Sequence, residues 1–220
     1  MERGNDWSVR VAAGIGARVA YHRKRAAMTA SALSARCAEL GLPLDRNVIA
    51  KLENGHRQSV TVDETLVLAA ALDVPPALLL FAVGTEETAE ILPGHHVPAF
   101  RAAQWASGEG PFPSPDAADL LTLITPPNSG GARPLALYRA HDRAAEEELR
   151  AMARATDMGK RALDATTEAE REAFTVAADA QGQVADAARE AGEHMRADAT
   201  ARGLLPPVPI ARLVIPQGDA

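Results

Sequence analysis

The chain has 220 residues, of which 47% are hydrophobic but only 4% aromatic, so alanine fills much of the apolar count and large core side chains are scarce. A single cysteine, Cys37, excludes an internal disulfide framework and a multi-cysteine metal site, and no run approaches the roughly 20 apolar residues of a membrane span. The net charge of -6 argues against a nucleic-acid partner for the chain as a whole, yet residues 8–84 hold nine Lys/Arg against six Asp/Glu, and the remainder 14 against 23. A basic head on an acidic body can hold phosphate locally and resist adhesion elsewhere. The opening MERGNDWSVR lacks the apolar core of a signal peptide, and the expectation is a cytoplasmic, nucleoid-associated protein without a cofactor.

Residues 1–8 read as a disordered lead-in. From Val9 to about Ala27, Val11, Ile15, Val19 and Ala20 recur at helical spacing, and the interior Gly14 and Gly16 weaken this first helix by about 1 kcal/mol each relative to alanine. Thr29 supplies an N-cap for a second helix to Leu40, with Leu33, Cys37 and Leu40 on one face and Gly41 at its end. Pro43 disfavours the helical conformation at Leu42, so residues 41–44 form a turn. Asp45 caps a third, short helix that turns Ile49 and Leu52 inward and closes at Asn54-Gly55. After a polar loop, Thr61 and Glu64 have the spacing of a capping box for a fourth helix with core positions Leu66, Ala69 and Leu72. Pro75-Pro76 opens a fifth helix carrying Leu78, Leu79 and Leu80.

Two short helices joined by a turn, the second with a polar outer face, suit the DNA major groove. With Ile49 and Leu52 facing inward, Arg46, Asn47, Ala50 and Lys51 face out; Arg and Lys suit guanine, and Asn suits adenine. Residues 15–81 resemble the phage-repressor (Cro/repressor) type of helix-turn-helix, the xenobiotic-response-element family. The likeness rests on Val-Ile-Ala-Lys-Leu-Glu-Asn-Gly (48–55), on Thr29 and Leu33, and on the run from Thr61 to Val74. It implies that Arg46, Asn47 and Lys51 read bases. It also implies that Thr29, Ala30, His56, Arg57 and Ser59 contact phosphate, and that Arg23 pairs with Glu53 to join the first helix to the third. Two features depart from the family pattern: Ala30 stands where the family often has Gln, and the turn from Gly41 to Leu44 is long.

Residues 82–134 are rich in Pro, Gly and Ser, and read as a linker with small helices around Phe100–Trp105 and Asp116–Ile124, anchored by Trp105 and Phe112. From Leu135 to Arg202 the sequence is alanine-rich, charged and free of proline, which predicts nearly continuous helix. Thr167 and Glu170 form a second capping-box pattern beside a candidate break at Asp164–Thr167. Met152, Leu163 and Phe174 stand eleven residues apart, as do Val184 and Met195, a spacing that lines one face of a straight helix. The remaining stripe positions are too small to hold a lone helix, so a partner surface is expected: a second copy, the other half of a hairpin, or a different protein. This segment also bears a slight likeness to the alanine-rich helical tails of actinobacterial regulators of this type.

The expected architecture is therefore all-α. It comprises a five-helix helix-turn-helix domain (9–84), an irregular linker (85–134), long helices forming a hairpin or coiled coil (135–203), and an extended tail (204–220). The expected function is that of a sequence-specific regulator of transcription, bound to double-stranded DNA as a homodimer and with no catalytic role. The alternative is a helical interaction module that regulates through a partner protein. His95-His96 has no carboxylate or cysteine at ligand spacing, and no phosphate loop, nucleophile elbow or dinucleotide fingerprint is present.

Overall fold

Eight helices and two strands occur among the residues described by a computed structural model of the protein, 2–113 and 133–208, with side chains from Trp7 onward. The chain divides into two units, residues 1–128 and 129–220.

In the first unit, α1 (Glu2–Arg25), α2 (Ala30–Glu39), α3 (Arg46–Glu53), α4 (Val62–Leu72) and α5 (Pro76–Leu80) enclose one core. Ile15, Val19, Leu33, Cys37, Ile49, Leu52, Leu68 and Leu79 are fully buried there. The boundaries follow local chemistry. The Thr29 hydroxyl accepts from the Ala32 N–H at 3.1 Å to start α2, and Thr61 and Glu64 form a reciprocal capping box on α4. Asp45 holds the N-cap position of α3 but makes no side-chain cap bond.

Gly16 is essential to this packing. A Cβ on it would lie 2.0 Å from the Leu52 carbonyl oxygen, so only glycine lets α1 approach the α3 backbone this closely.

Three expectations for this unit are corrected. Residues 2–8 are helical, since no proline interrupts the chain before Val9 and α1 continues back to Glu2. In α4 the run Leu66–Leu72 is apolar throughout and hides its own periodicity; Leu66 is 52% exposed, and Val67, Leu68 and Ala71 join Ala69 and Leu72 in the core. Leu40 and Leu80 lie at the ends of α2 and α5 and are exposed.

The segment expected to be irregular contains an antiparallel pair, β1 (Thr88–Leu92) and β2 (His95–Pro98), followed by α6 (Ala99–Ala106). Gly94 takes φ 75° in the reversal between the strands. Ile91, Val97 and Ala102 form a second small core with Phe81, Ala89 and Trp105 around it. Trp105 meets Phe112 edge-on at 5.2 Å. The small helix expected at Asp116–Ile124 lies outside the described residues.

The second unit is a helical hairpin of α7 (Arg133–Asp164) and α8 (Glu168–Ala201). The chain turns at residues 165–167, and Thr167 starts α8 through a capping box with Glu170. The buried positions are small: Ala151, Ala162, Ala185, Gly192 and Ala199, with His141. The eleven-residue stripe forms no core, because the turn divides it; Met152 and Leu163 are 53% and 84% exposed. No described helix is long and apolar enough to cross a membrane.

Candidate nucleic-acid interface

The third helix has the polarity that groove recognition requires. Ile49 and Leu52 are anchored in the core, Val48 and Ala50 are half-buried, and Arg46, Asn47 and Lys51 are exposed. Among the described residues, these three side chains make no hydrogen bond or ion pair. Their donors are therefore available to a ligand.

The turn before this helix is tied back to α2. The Ser34 hydroxyl donates to the Leu44 carbonyl at 2.6 Å, and Leu44 is buried. The Leu42 N–H donates to the Cys37 carbonyl at 3.1 Å. The long turn at 41–44 is thus tied to α2 at two points. Ser34 carried no signal in the sequence, because its partner is ten residues away.

Arg23 and Glu53 meet in a bidentate pair, Nε to Oε1 at 2.7 Å and Nη2 to Oε2 at 2.6 Å, while Nη1 donates to the Met28 carbonyl at 2.8 Å. Both side chains are largely buried. The hydrogen bond to Glu53 raises the Arg23 pKa above its ordinary value, outweighing burial. One guanidinium thus fixes the end of α1, the α1–α2 turn at Met28 and the last residue of α3 in one frame.

The residues expected at phosphate differ in what they can offer. The Thr29 hydroxyl is engaged in its cap, so its position offers the free N–H groups of the first turn of α2, including that of Ala30. His56 and Ser59 are exposed. Arg57 is already bound, donating from Nη1 to Glu64 Oε1 at 2.8 Å. Burial opposes ionisation of Glu64, but Arg57 and the capping bonds outweigh it and keep its pKa low. Arg57 can meet a phosphate only with its remaining donors.

The end of α1 carries His22, Arg23, Lys24 and Arg25. Burial, and after it the charges of Arg25 and Arg18, hold the His22 pKa below its ordinary value. Arg18 itself is structural, with Nε donating to the Leu79 carbonyl at 2.6 Å and Nη2 to the Leu80 carbonyl at 3.0 Å. It caps the C-terminal end of α5.

No group of three metal-binding side chains occurs among the described residues. His95 donates from Nε2 to the Pro113 carbonyl at 2.8 Å, and its ring lies tilted against Phe112 at 5.2 Å, a structural role. A cavity of about 300 Å³ beside α1 and the strand pair is lined by Arg10, Arg18, Glu86, Glu90 and His96. Arg10 and Glu90 are paired at 2.7 Å there, and Arg18 is committed to α5. Cys37 is fully buried, and burial pushes its thiol pKa up, away from the reactive thiolate.

Compared with protein-family models, with curated proteins and with solved structures, the chain matches none.

Proposed function

We propose that the protein is a sequence-specific double-stranded DNA-binding regulator of transcription, with α3 in the major groove. Arg46, Asn47 and Lys51 read base edges, the first turn of α2 and the exposed loop after Gly55 hold phosphates, and Lys24 and Arg25 add positive charge. One observation carries this reading. Arg10, Arg18, Arg23 and Arg57 are bonded within the fold, whereas Arg46, Asn47 and Lys51 stand exposed and without partners on a helix that Ile49 and Leu52 anchor in the core.

Two copies would read two half-sites about one helical turn apart. The exposed Leu163 and Val176 near the turn of the hairpin offer apolar surface to the second copy.

Selection from randomised duplexes, followed by fluorescence anisotropy over a salt series, tests the proposal. The selected duplex should bind about a thousandfold more tightly than a scrambled one, with a steep salt slope. Arg46→Ala should weaken that binding by about 1–3 kcal/mol and relax selectivity at one base pair. Equal, weak binding of wild type and the Arg46→Ala/Asn47→Ala variant to every duplex would overturn the reading in favour of a protein-interaction module.

A further inference from the structure

His141 of α7 is a titratable side chain in the Ala and Gly seam of the hairpin, with only 4% of it exposed. Its ring rests close to α8, since a Cβ on Gly192 would stand 3.9 Å from its Cδ2. The Nδ1 atom faces the Asp142 carboxylate at 3.5 Å, so this nitrogen carries the proton and Nε2 is an acceptor. Nε2 has no partner among the described residues. A buried acceptor left unmade is costly, and this one belongs to the lining of a groove of about 480 Å³ between α7 and α8.

The rest of the groove is apolar along its length and carries uncommitted negative charge. Ala145, Ala188, Leu149 and Met152 supply the apolar lining, the last two half-exposed. Glu148 of α7 and Glu193 of α8 line it without a hydrogen bond or an ion pair among the described residues. The two arginines of the lining are already engaged, Arg189 with Asp186 at 2.7 Å and Arg196 with the Pro207 carbonyl. Glu193 follows Gly192, so a free carboxylate stands at the end of the groove where His141 offers its free acceptor. Both groups favour the same ligand atom, an N–H donor with a positive charge.

We propose that this groove binds an amphipathic organic amine. The ammonium donates to His141 Nε2 and faces the Glu193 carboxylate, and the apolar body lies along Ala145 and Ala188 toward Leu149 and Met152. The dimensions agree. Eight residues separate His141 from Leu149, a rise of about 12 Å, which suits an amine with a short aryl or alkyl chain. The volume falls in the range of roughly 300–1,000 Å³ usual for small-molecule sites. Glu148, two turns along from His141 on the same face, adds to the potential that holds the cation. A carboxylate of the same shape would set its charge beside Glu148 and Glu193 and bring an acceptor to an acceptor. This inference is independent of the DNA-binding reading.

Calorimetric titration of 4-phenylbutylamine into the full chain, beside 4-phenylbutanol and 4-phenylbutyrate, provides the test. The amine should bind at least about tenfold more tightly than the alcohol, and the carboxylate should not bind. Glu148→Gln/Glu193→Gln should weaken the amine by about tenfold and leave the alcohol unchanged. Gln is nearly as good a helix former as Glu, so helical content by circular dichroism should hold. In the wild-type chain the ring-nitrogen resonances of His141 should shift as the amine saturates, a readout that needs no variant. No binding of the amine, equal binding of amine and alcohol, or tighter binding of the carboxylate would overturn the proposal. So would an amine affinity unchanged in the folded double variant, or saturation that leaves the His141 resonances unmoved.

Discussion

The five-helix core and the long hairpin use opposite strategies to make helices pack. In the first, Ile, Leu and Val side chains are buried to within 2% exposure, at Ile15, Val19, Leu33, Ile49, Leu52, Leu68 and Leu79. In the second, two helices of 32 and 34 residues meet mainly through Ala and Gly. Ion pairs divide the same way. Arg10–Glu90 and Arg23–Glu53 tie segments distant in sequence, whereas Arg150–Glu146, Arg161–Asp157, Arg171–Glu168, Arg189–Asp186 and Arg202–Asp198 each lie within one turn of a single helix. Burial of bulky side chains fixes one geometry; a long seam of small residues with local pairs stiffens helices without specifying much between them.

The sharpest way to break this contrast is to cut a side chain from the helical core. Leu68→Ala should destabilise the first unit by about 2–5 kcal/mol, because it removes a fully buried side chain and leaves a cavity. Urea unfolding followed at Trp7 and Trp105 fluorescence should show the loss, while most of the helical signal of the hairpin survives to its own midpoint. A single transition shared by all probes would remove the distinction between the units.

The same substitution should have opposite signs in the two units. Gly16→Ala puts a methyl group 2.0 Å from the Leu52 carbonyl oxygen and should cost about 1–3 kcal/mol as α1 and α3 are forced apart. Gly182→Ala in α8 meets nothing within 4 Å and should stabilise by about 0.5–1 kcal/mol through helix propensity. Thermal midpoints of the two variants, read against wild type, should move in opposite directions.

The smallest effect concerns acid. Arg10, then the Gly94 N–H, lower the Glu90 pKa from 4.5 to about 2. The unfolded chain therefore takes up this proton first, so the stabilisation is complete above pH 4.5 and declines as pH falls toward 2. Glu90→Gln should flatten the pH dependence of the first unit between those limits. An unchanged slope would show that the Arg10 pair does not set it.

Much of the core was legible in the sequence because its signals are local. Thr29, Gly41, Gly55, the Thr61–Glu64 box and Pro75-Pro76 each mark a boundary within a few residues, and Ile49 and Leu52 alone decide which face of α3 points outward. The strand pair was not legible. Pro93, Gly94 and Pro98 give its segment the composition of a linker, and its stability comes from packing Ile91 and Val97 on the distant Phe81 and Trp105. The inward face of the hairpin was hidden because alanine occupies many of its positions. In the candidate site the three side chains on the outer face were readable from periodicity, but the engagement of Arg57 by Glu64 was not, since it depends on how the loop folds back to the start of α4.

Cys37 gives the molecule an internal clock. It is the sole thiol of the chain, sits fully enclosed beside Leu33 in the helical core, and is kept protonated by its surroundings. A thiol reagent can therefore modify it only when that core opens, and the rate of its modification counts those openings directly. The hairpin, which has no sulfhydryl, is silent in such a measurement. Exchange at one sulfur atom thus isolates the opening of the five-helix core within the intact chain, and shows whether a bound ligand slows it.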